Sequence, residues 1–286
     1  MRQHGGMAGR SVPHLLVRLT ALATAMMMAA ALGVALTSGT AQGAARLAFR
    51  LAAAAKSLPR RAPNAPPLLT HGHVTGGTPA VGALFTTNTG RPGSHYCTAS
   101  VVDSPAGNLV ITAAHCLSSA GRYAFVPGYY HGRAPYGSWK VTRVFVDQAW
   151  AASADPNDDV AFLVVKQGHK GRRIQNLTGA ERLGTGWPAV QDVQVIGYPE
   201  GQSWPITCQG ITRAFGRNQM EFDCGGFTNG TSGGPFLARV SSVSGLGVVI
   251  GVIGGYEQGG YTPSVSYSAR FGSAVAALYQ VAVAGS

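Results

Sequence analysis

From residue 77 onward the chain alternates short apolar runs with clusters of Gly, Pro, Asn and Ser. Most runs are five to eight residues long and several are rich in Val and Ile, the length and composition of strands. The pattern predicts strands at about 80–86, 96–102, 108–112, 123–126, 139–146, 160–165, 193–198, 206–210, 220–223, 235–239, 247–253 and 264–268. A helical period emerges only at the end, where Val275, Leu278, Tyr279 and Ala282 share one face over 273–283. Many short strands and one terminal helix predict an all-β barrel or sandwich.

The first 76 residues have another texture. Residues 1–18 are polar and basic, 19–36 carry no charge, and small residues fill 37–45. That order is the one of a secretory signal, read here as 1–43, with an uncleaved membrane anchor as the rival. Residues 44–76 read as a propeptide or flexible arm, because Pro59, Pro63, Pro66 and Pro67 break any ladder. His71 and His73 lack a further ligand cluster nearby and read as solvated loop histidines rather than a metal pair. The domain proper is expected at 77–286, its first half at about 77–180, its second at about 185–270 and its helix at 273–283.

Composition narrows the class. Hydrophobic residues make up 45% and charged residues 12%, so a core can form and disorder is excluded. The 40 Gly follow no every-third-residue period, which excludes collagen. The net charge of +11 is misleading as a sign of nucleic-acid binding. Eight basic residues and no acid precede Gly77; from there on, fourteen basic residues face all eleven acids. A domain near +3 without basic clusters predicts no nucleic-acid partner. An exported chain carries no membrane segment once its signal is removed, and a monomer is expected.

Four cysteines, Cys97, Cys116, Cys208 and Cys224, fit disulfides in an exported protein. Three pairings are possible. The nearest-neighbour choice, Cys97–Cys116 and Cys208–Cys224, closes two short loops, each stabilising by roughly 3 kcal/mol through loop-closure entropy. No C-x-x-C spacing supports zinc, and no metal or cofactor is expected.

Three segments carry chemistry. Thr112-Ala113-Ala114-His115-Cys116 places a histidine at a strand end beside a cysteine that can pin it. Asp158-Asp159 directly precedes a buried-type strand, and Gly230-Thr231-Ser232-Gly233-Gly234-Pro235 holds a serine in a glycine-rich turn. A serine hydroxyl needs a base to become nucleophilic, and the base needs a carboxylate to fix its tautomer. His115, Asp159 and Ser232 supply these parts. The N–H groups of Gly230 and Ser232 are candidates for stabilising an oxyanion. Asp159 is preferred over Asp158 because it adjoins the buried run. Asp103, Asp147, Asp155 and Asp192 read as surface or turn acids, and the glycosylation patterns at Asn176 and Asn229 as chance matches.

With these motifs, residues from about 77 to 279 resemble the trypsin-like, chymotrypsin-fold serine endopeptidases. TAAHC at 112–116 matches their histidine motif, DVAFL at 159–163 their aspartate motif, and GTSGGP at 230–235 their serine motif except at Thr231. Phe125-Val126-Pro127-Gly128-Tyr129, Pro135-Tyr136-Gly137 and Ile196-Gly197-Tyr198-Pro199 resemble the secreted bacterial branch near the V8-type glutamyl endopeptidases. The resemblance implies two antiparallel six-stranded β-barrels, with His115 and Asp159 on the first and Ser232 on the second. It also implies a protein or peptide substrate in the cleft between them, and a pocket near Gly226, Phe227, Thr228, Ile253, Gly254 and Gly255.

Two departures qualify the resemblance. Many members carry an aspartate where Thr231 stands, paired on activation with a new amino terminus; Thr231 removes that ion pair. Gly226 replaces the acid of trypsin-type pockets, and no histidine follows His169 as glutamyl pockets require. The pocket is expected to favour uncharged side chains, with Glu257 able to attract a basic one. A catalytically inactive protease-fold binding protein is the alternative; an α/β-hydrolase fails because His115 precedes the serine.

Overall fold

The computed structural model describes residues 70–87, 94–118, 121–166 and 171–286. The signal expected at 1–43 and most of the expected arm lie outside them. Strand β1 (His73–Val74) comes first, followed by β2 (Val81–Thr86), β3 (His95–Val102), β4 (Leu109–Thr112), β5 (Tyr123–Pro127), β6 (Trp139–Val146) and β7 (Ala161–Val165). Strands β2 to β7 close into an antiparallel barrel in the order β2-β3-β4-β7-β6-β5. β4 and β7 are buried along their whole length, as continuous apolar runs such as Leu109-Val110-Ile111 require. Phe125 and Phe162, together with Leu84, Leu109, Ile111 and Leu163, are fully buried in this half.

The second half holds β8 (Arg182–Leu183), β9 (Asp192–Gly197), β10 (Ile206–Ile211), β11 (Arg213–Phe215), β12 (Gln219–Asp223), β13 (Pro235–Ala238), β14 (Val248–Val252) and β15 (Val265–Ala269). It is barrel-like but built from two sheets, one ordered β1-β10-β9-β13-β14-β8 and a smaller one ordered β11-β12-β15. The sequence pattern missed β8 and β11, which are too short to show a period. It also missed two short helices, α1 (Gln148–Ser153) and α2 (Gln175–Thr178). Helix α3 (Ser273–Ala284) ends the chain and buries Val275, Leu278 and Ala282. It packs on β6 and β7, with Tyr279 edge-on to Phe162 and its hydroxyl donating to the Asp103 carbonyl.

β1 moves the expected boundary of the arm. His73 and Val74 pair with Thr207 and Ile206 of β10, although both lie before residue 77. Just upstream, Gly72 N–H donates to the Gly225 carbonyl at 2.8 Å, and Gly225 N–H to the Thr70 carbonyl at 2.7 Å. The end of the expected arm is therefore a strand of the second half. A two-residue strand between glycines gives no periodic signal, which is why the sequence alone hid it.

Glu181 ties the two halves at their crossing. Its N–H donates to the Val101 carbonyl, its carbonyl accepts from Asp103 N–H, and its buried Oε2 accepts from Gly247 N–H at 2.5 Å. Its Oε1 has no partner among the described residues. Burial pushes this carboxyl up to about 7, partly offset by the Gly247 hydrogen bond.

Candidate active site

Thr112 at the end of β4 pairs with Ala161 at the start of β7. The loops leaving these two residues therefore emerge side by side. His115 follows on a single 3-10 turn, Ala114–Cys116, and Cys116 is disulfide-bonded to Cys97 of β3. Asp159 comes from the other loop, after the 3-10 turn Pro156–Asp158, whose N-cap Asp155 accepts the Asn157 N–H at 2.9 Å.

The carboxylate of Asp159 has no exposed surface and takes three hydrogen bonds. Oδ1 accepts His115 N–H at 2.8 Å; Oδ2 lies 2.7 Å from His115 Nδ1 and accepts Gly255 N–H at 2.8 Å. A carboxylate can only accept, so Nδ1 carries the hydrogen and Nε2 is left as the basic nitrogen. Asp158 turns elsewhere; burial, then Asp147 and Asp155, push its carboxyl up. Gly254 must be small, because a Cβ there would lie 2.9 Å from Asp159 Oδ2.

Ser232 sits in the turn before β13, and every carbonyl from 229 to 232 is held. Asn229 O accepts from Glu200 N–H at 2.6 Å, and Gly230 O from the Thr98 hydroxyl at 2.9 Å. Thr231 O accepts from Gly234 N–H at 2.9 Å, and Ser232 O from Thr98 N–H at 2.7 Å. Thr231 N–H and its hydroxyl both go to the Thr228 carbonyl. Gly230 N–H and Ser232 N–H donate to no backbone carbonyl among the described residues. Gly230 adopts φ +90°, where a Cβ would run into the Glu200 backbone, so glycine is required.

His115 and Ser232 line one cleft of about 350 Å³. Of the expected pocket residues, Phe227, Thr228 and Ile253 line it. Gly226, Gly254 and Gly255 do not: Gly254 and Gly255 back Asp159 instead, and Gly226 faces Ile206 and Gly72. The sequence did not point to Glu200, Asn229 or Tyr261, which line the cleft beside Glu257. Glu200 follows a strand and carries no motif, so only the fold brings it there. Near it, His95 is buried among Phe85, Tyr129 and Tyr198, and burial pushes its imidazole down against a smaller upward pull from Glu200. The second disulfide, Cys208–Cys224, ties β10 to the end of β12, ahead of the Phe227 wall.

The family model of the trypsin-like peptidase domain matches residues 97–246. Among solved structures, the protease Anisep from Arthrobacter nicotinovorans is similar at 25% identity, covering 74% of this chain and 99% of its own, with a TM-score of 0.64. A thermostable serine protease, AL20, from an extremophilic microorganism is also 25% identical, covering 74% and 100%, at a TM-score of 0.63. A Glu endopeptidase shares the fold at 17% identity, covering 75% and 97%, at a TM-score of 0.61. A search of curated protein sequences finds no match.

Proposed function

The chain belongs to the family of trypsin-like peptidase domains, and from that premise we propose that it is exported and cuts peptide bonds with His115, Asp159 and Ser232. It is a serine-type endopeptidase, so a hydroxyl must be made nucleophilic near neutral pH. His115 Nε2 takes the Ser232 proton as Oγ bonds to the substrate carbonyl carbon. The electron pair moves onto the carbonyl oxygen, and Gly230 N–H and Ser232 N–H receive that charge. The imidazolium, held by Asp159, then gives its proton to the leaving amine, and the C–N bond breaks. Water then attacks the acyl carbon as His115 takes its proton; the C–Oγ bond breaks, His115 returns the proton to Ser232 Oγ, and the carboxylic acid product leaves.

The observation that carries this reading is the 2.7 Å contact between His115 Nδ1 and Asp159 Oδ2, with Ser232 in the same cleft. Export is supported by the two disulfides and by the signal-like order of residues 1–43. The arm then spans 44 to about 69. The test is covalent labelling by a fluorophosphonate probe, peptide mapping of the adduct, and a casein digest. Labelling at Ser232, with digestion abolished in Ser232→Ala, is expected. A folded chain that neither labels nor digests casein is an inactive binding protein instead.

A further inference from the structure

The oxyanion donors come from the second half of the molecule, yet two of the four carbonyls of their loop are held by one residue of the first. Thr98, on β3, has no exposed surface. Its hydroxyl donates to Gly230 O at 2.9 Å and accepts Tyr198 N–H at 2.8 Å. Its own N–H donates to Ser232 O at 2.7 Å. Its carbonyl accepts the Thr112 hydroxyl at 2.8 Å, next to the turn that carries His115.

A trans peptide points its C=O and N–H in opposite directions, so fixing one fixes the other. Holding Gly230 O directs Thr231 N–H to Thr228, and holding Ser232 O directs Gly233 N–H to the Ile253 carbonyl. The two peptides whose N–H groups stay free lie on either side of the one the Thr98 hydroxyl grips. In a glycine-rich turn, that grip fixes the plane from which both donor peptides extend, while Glu200 N–H and Gly234 N–H hold the donor peptides themselves at Asn229 O and Thr231 O. Thr231 is neutral, so its side chain ties the loop by a hydroxyl bond and by no ion pair.

We propose that Thr98 is the positioning residue of the oxyanion loop: its hydroxyl sets Gly230 and Ser232 for transition-state charge across the boundary between the two halves. The proposal rests on Ser232 being the nucleophile.

The test compares Thr98→Val, which keeps shape and backbone N–H but loses the hydroxyl, with Thr98→Ser, which keeps the hydroxyl. Wild-type chain is first labelled by the fluorophosphonate; no label on Ser232 sinks the functional reading and not the Thr98 step alone. On a labelling-competent preparation, Thr98→Val should lower kcat by about 10- to 100-fold with KM within threefold, because the oxyanion exists only past the ground state. A peptide boronate, which presents a tetrahedral oxygen, should weaken in parallel, while Thr98→Ser stays near wild type on both readouts. Should Thr98→Val not fold in a thermal melt, Thr98→Ala is read the same way. A hydroxyl-free variant with wild-type kcat and boronate affinity overturns the proposal. So does a loss that falls on KM alone, or one that Thr98→Ser shares in full.

Discussion

His115 and Asp159 are joined twice: Oδ2 of the aspartate meets Nδ1 of the imidazole at 2.7 Å, and Oδ1 meets the histidine's own backbone N–H at 2.8 Å. The second bond fixes the loop as the first fixes the ring. Gly255 N–H, from the other half, completes the carboxylate's shell. Gln219 reinforces the same seam. Its Nε2 donates to Pro156 O and Asn157 Oδ1, and its Oε1 accepts Tyr256 N–H at 3.2 Å. The acid loop and the cleft wall are thus stitched together on both sides of Asp159.

Asp159→Asn keeps the shape of this arrangement but puts an N–H donor or a weaker acceptor opposite Nδ1. The expected result is a fall in kcat of about 10⁴-fold with KM little changed, since the imidazole loses its tautomer and the imidazolium its counter-charge. Asp158→Asn should stay within about threefold, because Asp158 does not touch His115. Steady-state kinetics on one peptide substrate checks both; equal losses in the two variants would contradict the geometry.

The histidine, aspartate and serine segments were legible because each is a local string whose chemistry needs those residue types at short spacing. The strands of the first barrel were legible because they are apolar-rich runs of four to eight residues set between turn residues. What stayed hidden depends on register between distant strands. Glu200 reaches the cleft only because its N–H caps Asn229, which lies 29 positions further along the chain. Thr98 reads as an ordinary β-branched strand residue until Gly230 and Ser232 fold against it. The resemblance put Gly254 and Gly255 in the pocket, yet they lie against Asp159, where Gly255 N–H donates to its carboxylate.

Glu181 predicts how stability depends on pH. Its folded-state carboxyl is raised to about 7 from 4.5, so the folded chain holds a proton that the unfolded chain releases. Its contribution is full below about 4.5, falls as pH rises, and is lost by about 7, a span of on the order of 3 kcal/mol. Glu181→Gln should flatten that limb: its melting temperature should vary less than the wild type's between pH 5 and 7.5. Parallel curves for the two proteins would show that Glu181 does not titrate in this range.

The amino-terminal edge predicts where processing is tolerated. Chains beginning at different positions between residues 45 and 70 should be equally active, because a neutral Thr231 calls for no new terminus as a charge partner. A chain beginning at 77 loses β1 and the bonds between Thr70, Gly72 and Gly225, which lie beside the Phe227 wall. Losing these bonds, the Thr75 N–H bond to Pro205 O and the β1–β10 ladder, at least four hydrogen bonds in all, should lower its melting temperature by roughly 5–10 °C and reduce activity. Activity restricted to a single terminus within 45–70 would show that an exact amino group is required after all.

The cleft predicts a preference among substrates. Glu200 and Glu257 both line it, and no Lys or Arg does among the described residues. Glu200 adjoins the Ser232 turn through Asn229, whereas Glu257 comes from the segment after Ile253. Peptides with Lys or Arg beside the scissile bond should be cut faster than peptides with isosteric neutral side chains, by about fivefold at low salt. The expectation from the sequence is an uncharged preference near Gly226 with Glu257 able to attract a basic side chain; the fold adds Glu200 to Glu257. Glu257→Gln should shrink the ratio of kcat/KM for the Lys peptide to that for its norleucine counterpart. The double variant with Glu200→Gln should shrink it further. Raising salt toward 1 M should do the same to the wild type, because ions screen charges at a partly open rim. Glu221→Gln is the control, since that carboxylate pairs with Arg213 on the smaller sheet and does not line the cleft. If the wild type cut norleucine and lysine peptides alike at low salt, the two carboxylates would have no part in choosing the substrate.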